Sequence, residues 1–490
     1  MKPNRQVDRR TFLRGAVKAA GAAAAVPAMQ GLSILGLNGR VSAARGRGGY
    51  SPLLPAADLR DGVERIALPE GFEYRSFSLA GQVLSDGNRV PLAHDGMGVF
   101  NMPEGKFRLV RNHEDRNGGG LGTTALNANM SYDMRGGGGT TTLVVNPFTR
   151  ELERHFVSVS GTIVNCAGGV TPWDSWVTCE ETNAGPTSSA TPPALPWLRQ
   201  HGYCFDVPAD ANGQVPAIAI PEMGRFSHEA LAVDPSTWIV YETEDNGGNS
   251  GFYRFLPNTP GRLVNGGTLQ MLAIEGRFQY DARTGQTQGV ALPVTWVDIA
   301  NPNPSGTSST AVFNQGRALG GVRFNRLEGC WYGNGAIYFD DTSGGNAGAG
   351  QVWEFRPEGD GGTLTLIFES PGAAVLDAPD NLAVSPQGSI LLCEDGGGDQ
   401  YMRGVTLDGE IFDFAVNLTN DSEWAGATFA EADPSWNDRK IRGNNPPLGG
   451  RWDRVTLFVN RQGATGGANP PANDPGMTFA IWGPWGDGAL

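Results

Sequence analysis

The sequence predicts an all-β fold, and three observations support this prediction. The chain of 490 residues contains 71 glycines and 33 prolines, and only 18% of its residues are charged, a composition typical of proteins with many strands and turns. Past residue 60, no long segment shows the 3.6-residue apolar period of a helix. A unit of two apolar strands joined by a short turn recurs six times, which indicates radial repetition.

Each repeated unit starts with a polar or acidic stretch and ends with another. The six units read, in order, "HDGMGVFNMPEGKFRLVRNHED" (94–115), "NCAGGVTPWDSWVTCEET" (165–182), "HEALAVDPSTWIVYETED" (228–245), "LEGCWYGNGAIYFDDT" (327–342), "PDNLAVSPQGSILLCEDG" (379–396) and, more loosely, "WAGATFAEAD…DRVTLFVNRQG" (424–463). This pattern predicts a six-bladed β-propeller with long inserted loops, since about 70 residues per unit exceeds the usual ~40–50. We expect two of these loops at 183–198 and 265–288. A β-sandwich is the alternative, but it does not predict the polar ends.

The N-terminal segment resembles an export signal. Paired arginines in "DRRTFLRG" (8–15) precede a small apolar run, which is the pattern read by the twin-arginine export machinery. The run is too short and too rich in alanine for stable membrane insertion. We expect a signal peptide over 1–43, a single domain over 44–490, and a periplasmic or extracellular location.

The charge of the chain excludes some classes of partner and favours others. The net charge is −14, and removal of residues 1–43 would take away seven basic residues and one acidic residue, leaving −20. A protein this acidic is not expected to bind nucleic acid or an anionic membrane. Clustered carboxylates are instead the usual ligands of divalent cations such as calcium.

The polar ends of the units are expected to meet at one place. In a propeller hairpin, the start of one strand and the end of the next lie at the same face, so all six ends would converge at one mouth of the central channel. The converging side chains would be His94, Asp95, His113, Glu114, Cys179, Glu180, Glu181, Glu229, Glu242, Glu244, Asp245, Glu328, Asp340, Asp341, Asp380, Asn381, Glu394 and Asp395. So many carboxylates repel one another unless cations separate them. Oxygen ligands suit calcium, whereas a thiolate among them calls for a softer ion such as iron or zinc.

The chain has an odd number of cysteines, five, so at least one thiol is free or has another role. Cys179 directly precedes two glutamates, which favours a ligand role for it. Cys393 sits in the similar "LLCED", where strand packing and metal ligation remain equally open. We expect Cys166, Cys204 and Cys330 to be packing residues, with one disulfide still open in an oxidising compartment.

Several ordered blocks of the sequence resemble one known family. The blocks "NCAGGVTPWDSWVTCEE", "GRFSHEALAVDP", "GFYRFLP", "FNRLEGCWYGNGAIYF", "GQVWEF" and "DAPDNLAVSPQGSILLCEDG" are similar to those of the PhoX-type alkaline phosphatases. The resemblance runs from about residue 60 to the C-terminus. It implies an exported, monomeric six-bladed propeller that hydrolyses small-molecule phosphomonoesters with iron and calcium at its centre.

The resemblance also implies roles for individual residues. Cys179 would be the iron thiolate, and Arg326 would be the cation that grips the phosphate, although Arg323 and Arg111 also lie in plausible places. The remaining metal ligands implied by the resemblance are Glu229, Glu328, Asp380, Asn381 and Glu394, and the converging polar ends add Glu180 and Glu181 to the predicted ligands. Glu328 is also expected to be catalytic together with Arg326. No serine lies in a G-x-S-x-G nucleophile motif.

Two other functions remain open from the sequence. A calcium-dependent propeller of the lactonase type would polarise a carbonyl with one ion and would need no thiolate-bound iron. A non-catalytic propeller would use calcium only to stiffen the mouth of the channel. In that case, loss of Glu328 would lower thermal stability without any activity to lose.

Overall fold

The computed structural model describes residues 47–116, 127–187, 196–465 and 475–490. The predicted signal peptide, 1–43, lies outside the described residues, as does half of the predicted insertion at 183–198. The described chain is almost entirely strands and turns, as predicted. The second predicted insertion, 265–288, begins at the end of a 3₁₀ turn and contains a strand over 267–274; the residues after this strand are loop.

The strands are numbered here in chain order. The first half of the described chain contains β1 (Leu54–Ala57), β2 (Glu64–Leu68), β3 (Glu73–Phe77), β4 (His94–Met102), β5 (Lys106–His113), β6 (Gly138–Val145), β7 (Leu152–Thr162), β8 (Asn165–Val170), β9 (Ser175–Glu180), β10 (Cys204–Pro208), β11 (His228–Val233), β12 (Val240–Glu244) and β13 (Phe252–Pro257). The second half contains β14 (Gly267–Ile274), β15 (Ala291–Asp298), β16 (Leu327–Gly333), β17 (Ala336–Asp341), β18 (Gln351–Glu358), β19 (Gly361–Glu369), β20 (Pro379–Val384), β21 (Ile390–Glu394), β22 (Tyr401–Val405), β23 (Ile411–Asn417), β24 (Trp424–Glu431), β25 (Val455–Arg461) and β26 (Met477–Trp482).

Helical structure is sparse in the described residues. The α-helices are α1 (Ala311–Ala318) and the single turn α2 (Arg439–Arg442). Short 3₁₀ turns cover Arg47–Gly49, Pro221–Met223, Leu263–Asn265, Pro434–Asn437, Trp452–Arg454 and Trp485–Asp487. Within the described ranges, no helix is long and apolar enough to cross a membrane.

The strands pair into antiparallel sheets that follow the repeated units. The sheet orders are β4-β5-β6-β7, β8-β9-β10, β11-β12-β13-β14-β15-β19-β18-β17-β16, β20-β21-β22-β23-β2-β1 and β24-β25-β26-β3. The third and fourth units are joined into one sheet because β15 pairs with β19. Turn chemistry fits the predicted hairpins: Asn334 and Gly335 both adopt positive φ between β16 and β17, as a two-residue hairpin loop requires.

The first strands of the six units, β4, β8, β11, β16, β20 and β24, adjoin one another in a closed cycle. They are buried along most of their length; every residue of β11, for example, is buried. Apolar side chains of the outer strands pack between neighbouring sheets, with Trp176 and Trp353 almost completely enclosed. The cycle therefore brings the start of every unit to one central place.

The sixth unit is completed by a strand from the other end of the chain. β3 pairs with β26, with Phe77 opposite Thr478 and Tyr74 opposite Ile481. Ser76 and Tyr74 are thereby buried beside the last strands of the chain. The cycle is consequently closed by residues about 400 positions apart in the sequence.

Candidate metal centre

A β-bulge lies at the start of the first strand in every unit. The register shifts fall at His94/Met97, Asn165/Gly168, His228/Leu231, Leu327/Cys330, Pro379/Asn381 and Ala425/Thr428. A bulge inserts an extra residue and re-aims the side chains beside it. In the first five units, the first bulged residue is Asp95, Cys166, Glu229, Glu328 or Asp380. Each of these five units therefore presents a side chain that could bind a metal at the start of its first strand.

The second strand of each unit contributes one more polar residue, placed directly after the strand ends. In five units this residue is Glu114, Glu181, Asp245, Asp395 or Gln462. Glu114 follows β5 and Glu181 follows β9, and both reach the neighbouring unit. The sixth unit has Gly426 at its bulge, and Glu423, just before β24, supplies its carboxylate.

The side chains at these positions form a connected set that we call the acidic ring. The ring consists of four groups of three residues, and within each group the potential ligand atoms lie within 4.8 Å of one another. The groups are Cys166, Glu181 and Glu229; Glu229, Glu328 and Asp380; Asp380, Asp395 and Glu423; and Asp95, Glu114 and Glu423. Consecutive groups share Glu229, Asp380 or Glu423. Arg116 closes the ring, because its Nη2 donates to Glu114 and, over 3.0 Å, to Oε2 of Glu181.

The acidic ring concentrates negative charge in a buried place. It contains eight carboxylates and one thiol, and six of the carboxylates are less than 10% exposed. Burial, followed by the nearby Asp395, Asp380 and Asp95, raises the pKa of Glu423 well above its usual range. Gln462 donates from Nε2 over 3.0 Å to both Asp95 and Glu114, and Arg326 donates to Glu328 over 2.8 Å. Ionised carboxylates at this density need cations between them.

Four of the ligands predicted from the sequence lie in the acidic ring: Glu181, Glu229, Glu328 and Asp380. Each belongs to a different unit, from the second to the fifth. The structure therefore brings together carboxylates that are up to 199 positions apart in the chain. Their role as metal ligands stays a prediction.

Two other predicted ligands, Glu180 and Glu394, point away from the ring. Glu180 accepts from the backbone N–H of Gly202 over 2.8 Å and lies 2.7 Å from Nδ1 of His201. Glu394 forms an ion pair of 2.6 Å with Arg403. Each is the last residue of its strand, and the next residue, Glu181 or Asp395, is the one in the ring. Consecutive strand residues point to opposite faces, so only one of each pair reaches the mouth.

Asn381 also has a partner outside the acidic ring. Its Oδ1 accepts a hydrogen bond of 3.2 Å from the backbone N–H of Ala427, in the neighbouring first strand β24. This bond joins the fifth unit to the sixth beside Asp380. The calcium role of Asn381 stays a prediction, and its hydrogen bond with Ala427 fixes the position of its side chain.

The structure separates the two cysteines of the second unit. Cys179, the predicted thiolate, lies with its Sγ 3.7 Å from Sγ of Cys204 and packs in an apolar cluster. Cys166, the predicted packing residue, has its Sγ 3.1 Å from Oε2 of Glu229. The bulge in β8 explains why Cys166 lies near Glu229, because it turns the Cys166 side chain toward the acidic ring. Cys179 is on the adjacent strand, β9, and is not affected by this bulge. The motif "NCAGG" could have identified Cys166 as a candidate ligand, since Asn165 and Cys166 are at the start of the second repeated unit.

Arg326 lies at the rim of the acidic ring. Its guanidinium donates to both carboxylate oxygens of Asp245, over 2.9 and 2.8 Å, and its side chain is 23% exposed. Its φ of 67° lies in the left-handed region. Ala93, Val164 and Ala378 have the same conformation just before other first strands. A residue with positive φ therefore precedes the first strand in four of the units. Arg326 differs from the other three because its side chain contacts Glu328.

The two other arginines considered for phosphate binding have different surroundings. Arg111 is fully buried and donates to Thr478 over 2.8 Å and to Thr141 over 3.1 Å; burial lowers its pKa to about 9. Arg323 donates from Nε to the carbonyl of Gly248. Arg116, which the sequence analysis did not consider, touches the ring directly and has a side chain that is 40% exposed.

Comparisons with known proteins agree with this architecture. The model of the family described as alkaline phosphatase PhoX matches residues 48–436. Pseudomonas fluorescens PhoX, solved in complex with vanadate, a transition-state analogue, has a TM-score of 0.62 and 17% identity, over 91% of this chain and 99% of that chain. At that identity the likeness shows a shared fold.

Other solved structures are less similar. A gluconolactonase from Xanthomonas campestris has a TM-score of 0.35 and 11% identity, over 89% of this chain and 98% of that chain. A streptogramin B lyase has a TM-score of 0.33 and 12% identity, over 83% of this chain and 97% of that chain. Similarity at these scores has no bearing on function, and no curated protein matches the sequence significantly. Because the family model spans most of the sequence, the predicted membership is confirmed: the chain belongs to the PhoX family of alkaline phosphatases, which hydrolyse phosphomonoesters.

Proposed function

We propose that the acidic ring is the catalytic centre of this phosphatase and that it holds calcium and iron ions. The observation that carries the proposal is the donor set, eight carboxylates and one thiol joined in one ring. Carboxylate oxygens are the preferred ligands of calcium, and a thiolate among them favours a softer metal such as iron. When bound, such ions neutralise the charge that develops on a transferring phosphoryl group.

The thiolate of this proposal is Cys166. Its Sγ belongs to the group with Glu181 and Glu229, whereas Cys179 lies outside the acidic ring, with its Sγ 3.7 Å from Sγ of Cys204. Burial and the charge of Glu229 raise the pKa of the Cys166 thiol, so a cation is needed to hold it ionised. Glu229 belongs to two of the groups, and Glu328 belongs to one group and accepts a hydrogen bond from Arg326. We propose that both carboxylates bridge neighbouring ions.

The wider context of the activity is also a proposal. The closed cycle of six first strands supports a six-bladed propeller in which the third and fourth blades share one sheet. The paired arginines of 8–15 support export by the twin-arginine machinery to the periplasm or beyond. The family supports small-molecule phosphoesters as substrates and a monomeric enzyme as the working form.

The proposal is tested by assaying hydrolysis of p-nitrophenyl phosphate by the exported enzyme, purified with its metals and again after chelation. We expect activity that disappears on chelation and returns only when calcium and iron are both restored. A protein that contains its metals but hydrolyses lactones instead of phosphomonoesters would overturn the assignment. Activity that survives complete removal of the metals would overturn the role of the ring.

Arg326 is proposed to bind the phosphate. Replacement by alanine is expected to lower kcat/KM by about 100-fold, because a charged bidentate contact to the transferring group is lost. Replacement by lysine should give an intermediate value, since lysine keeps the charge but loses the fork geometry.

Arg323→Ala is the matched control for this prediction. Arg323 lies three residues away and donates to the carbonyl of Gly248, outside the ring. Steady-state kinetics should show a change of less than about 5-fold for this variant, well below the effect of a lost phosphate contact. Equal losses in Arg323→Ala and Arg326→Ala would mean that Arg326 has no special role.

A further inference from the structure

A second cluster of metal-binding side chains lies beside the acidic ring but shares no member with it. Cys179 on β9 and Cys204 on β10 face each other across the strand pair, with their Sγ atoms 3.7 Å apart. Sγ of Cys204 lies 3.5 Å from Nδ1 of His228, and Nδ1 lies 3.2 Å from Oε2 of Glu242. All four residues are completely buried. We call them the inner cluster.

Three distances within the inner cluster match edges of a small tetrahedron. With zinc–sulfur bonds of ~2.3 Å and zinc–nitrogen and zinc–oxygen bonds of ~2.1 Å, tetrahedral geometry places two sulfurs ~3.8 Å, sulfur and nitrogen ~3.6 Å, and nitrogen and oxygen ~3.4 Å apart. The three observed distances are 3.7, 3.5 and 3.2 Å. Cys204, His228 and Glu242 are therefore spaced as ligands of one ion, all within 4.8 Å of one another, and Cys179 adjoins them through Cys204.

The histidine of the inner cluster is held in the orientation of a metal ligand. Nε2 of His228 lies 3.1 Å from the carbonyl oxygen of Gly224. A carbonyl can only accept, so Nε2 carries the proton, and in the neutral ring the lone pair of Nδ1 points at Cys204 and Glu242. Donation from the distal nitrogen to a backbone carbonyl is the arrangement that fixes metal-binding histidines.

Glu242 provides the independent sign that an ion belongs here. It is completely buried on β12, where an apolar residue would be expected. Among the described residues, neither of its carboxylate oxygens accepts a hydrogen bond. A buried carboxylate without such partners is costly, and a cation between Glu242, His228 and the two thiols would satisfy it.

We propose that Cys179, Cys204, His228 and Glu242 bind one zinc ion in a closed tetrahedral site. Two thiolates and an imidazole favour zinc over calcium, and four protein ligands leave no open position, which is typical of structural zinc. The ion would tie β9 and β10 of the second unit to β11 and β12 of the third. His228 directly precedes Glu229, so the same ion would fix the strand that presents this carboxylate to the acidic ring.

The test measures the metals in the purified, exported enzyme and in two variants. We expect one zinc per chain in the wild-type protein and less than about a tenth of that in Cys204→Ala, with calcium and iron unchanged. Cys330→Ala removes another fully buried thiol, on β16, and should keep its zinc. Equal zinc in Cys204→Ala and wild type would overturn the proposal.

Two measurements on the wild-type protein keep the proposal testable if a variant does not fold. X-ray absorption at the zinc edge should show two sulfur and two nitrogen or oxygen neighbours; a shell without sulfur would contradict the site. Titration of the unfolded, metal-free protein under non-reducing conditions should find five free thiols. Three free thiols and a disulfide between Cys179 and Cys204 would contradict the zinc site and show a cross-strand disulfide in its place.

Discussion

Replacing Glu229 by glutamine is expected to lower phosphatase kcat/KM by more than about 100-fold, because substitutions that only support metal ligands already cost ~10–100-fold. Glu229 is shared by two of the ligand groups, one with Cys166 and Glu181 and one with Glu328 and Asp380. The neutral amide keeps the shape of the side chain but removes a charge from both groups. Kinetics with p-nitrophenyl phosphate and elemental analysis of the same samples would show whether activity and metal content fall together.

Glu394→Gln is the informative control for Glu229→Gln. Glu394 is also a buried carboxylate at the end of a unit, but it pairs with Arg403 and accepts from the backbone N–H of Tyr401. This variant should lose some thermal stability while it keeps its metals and most of its activity. If Glu394→Gln lost metal and Glu229→Gln did not, the ring described here would be the wrong set of ligands.

Removal of the metals is expected to lower the Tm by about 5–10 °C near pH 8, because several bound ions each stabilise the folded form by mass action. The size of this fall should depend on pH. Burial and neighbouring carboxylates raise the pKa of Glu423, and burial and Asp380 raise that of Asp340. Between the unfolded and the raised folded pKa, the folded chain holds more protons, so the stability of the metal-free protein decreases as the pH rises.

Calorimetry of the metal-free protein between about pH 5.5 and 8.5 checks the sign of this dependence. The Tm should be highest at the acidic end, and the gap to the metal-loaded protein should widen toward the alkaline end. Glu423→Gln removes one of the titrating charges, so its metal-free form should be more stable than metal-free wild type at pH 8.5. A metal-free Tm that rises with pH would contradict the crowding of charge in the ring.

The sequence was sufficient to predict the all-β fold and the meeting of the polar ends. Hairpins such as β16–β17 are encoded locally, by apolar strands around an Asn-Gly turn, so their pattern is visible without the structure. The convergence of Glu229, Glu328 and Asp380 follows from repetition, since each occupies the same place in its unit. These parts of the prediction depend only on local pattern and on the geometry of a repeat.

The exact ligand set was beyond the sequence because bulges and strand ends decide which side chain turns inward. Of the pair Glu180 and Glu181, only a knowledge of where β9 ends distinguishes the buried partner of His201 from the ring carboxylate. Cys166 depends on the bulge in β8 in the same way. Glu423 lies in the least regular unit, where Gly426 occupies the usual ligand position, so no repeated pattern marks it.

The pairing of β3 with β26 has a consequence for how the enzyme is made. The ring needs Asp95 and Glu423 side by side, which requires β24 to pack beside β4, and the sheet of β24 is completed by the pairing of Met477–Trp482 with Glu73–Phe77. Contacts between such distant segments form slowly, since a long loop must be ordered first. We therefore expect the carboxylates of the ring to come together late in folding, after most of the strands have formed.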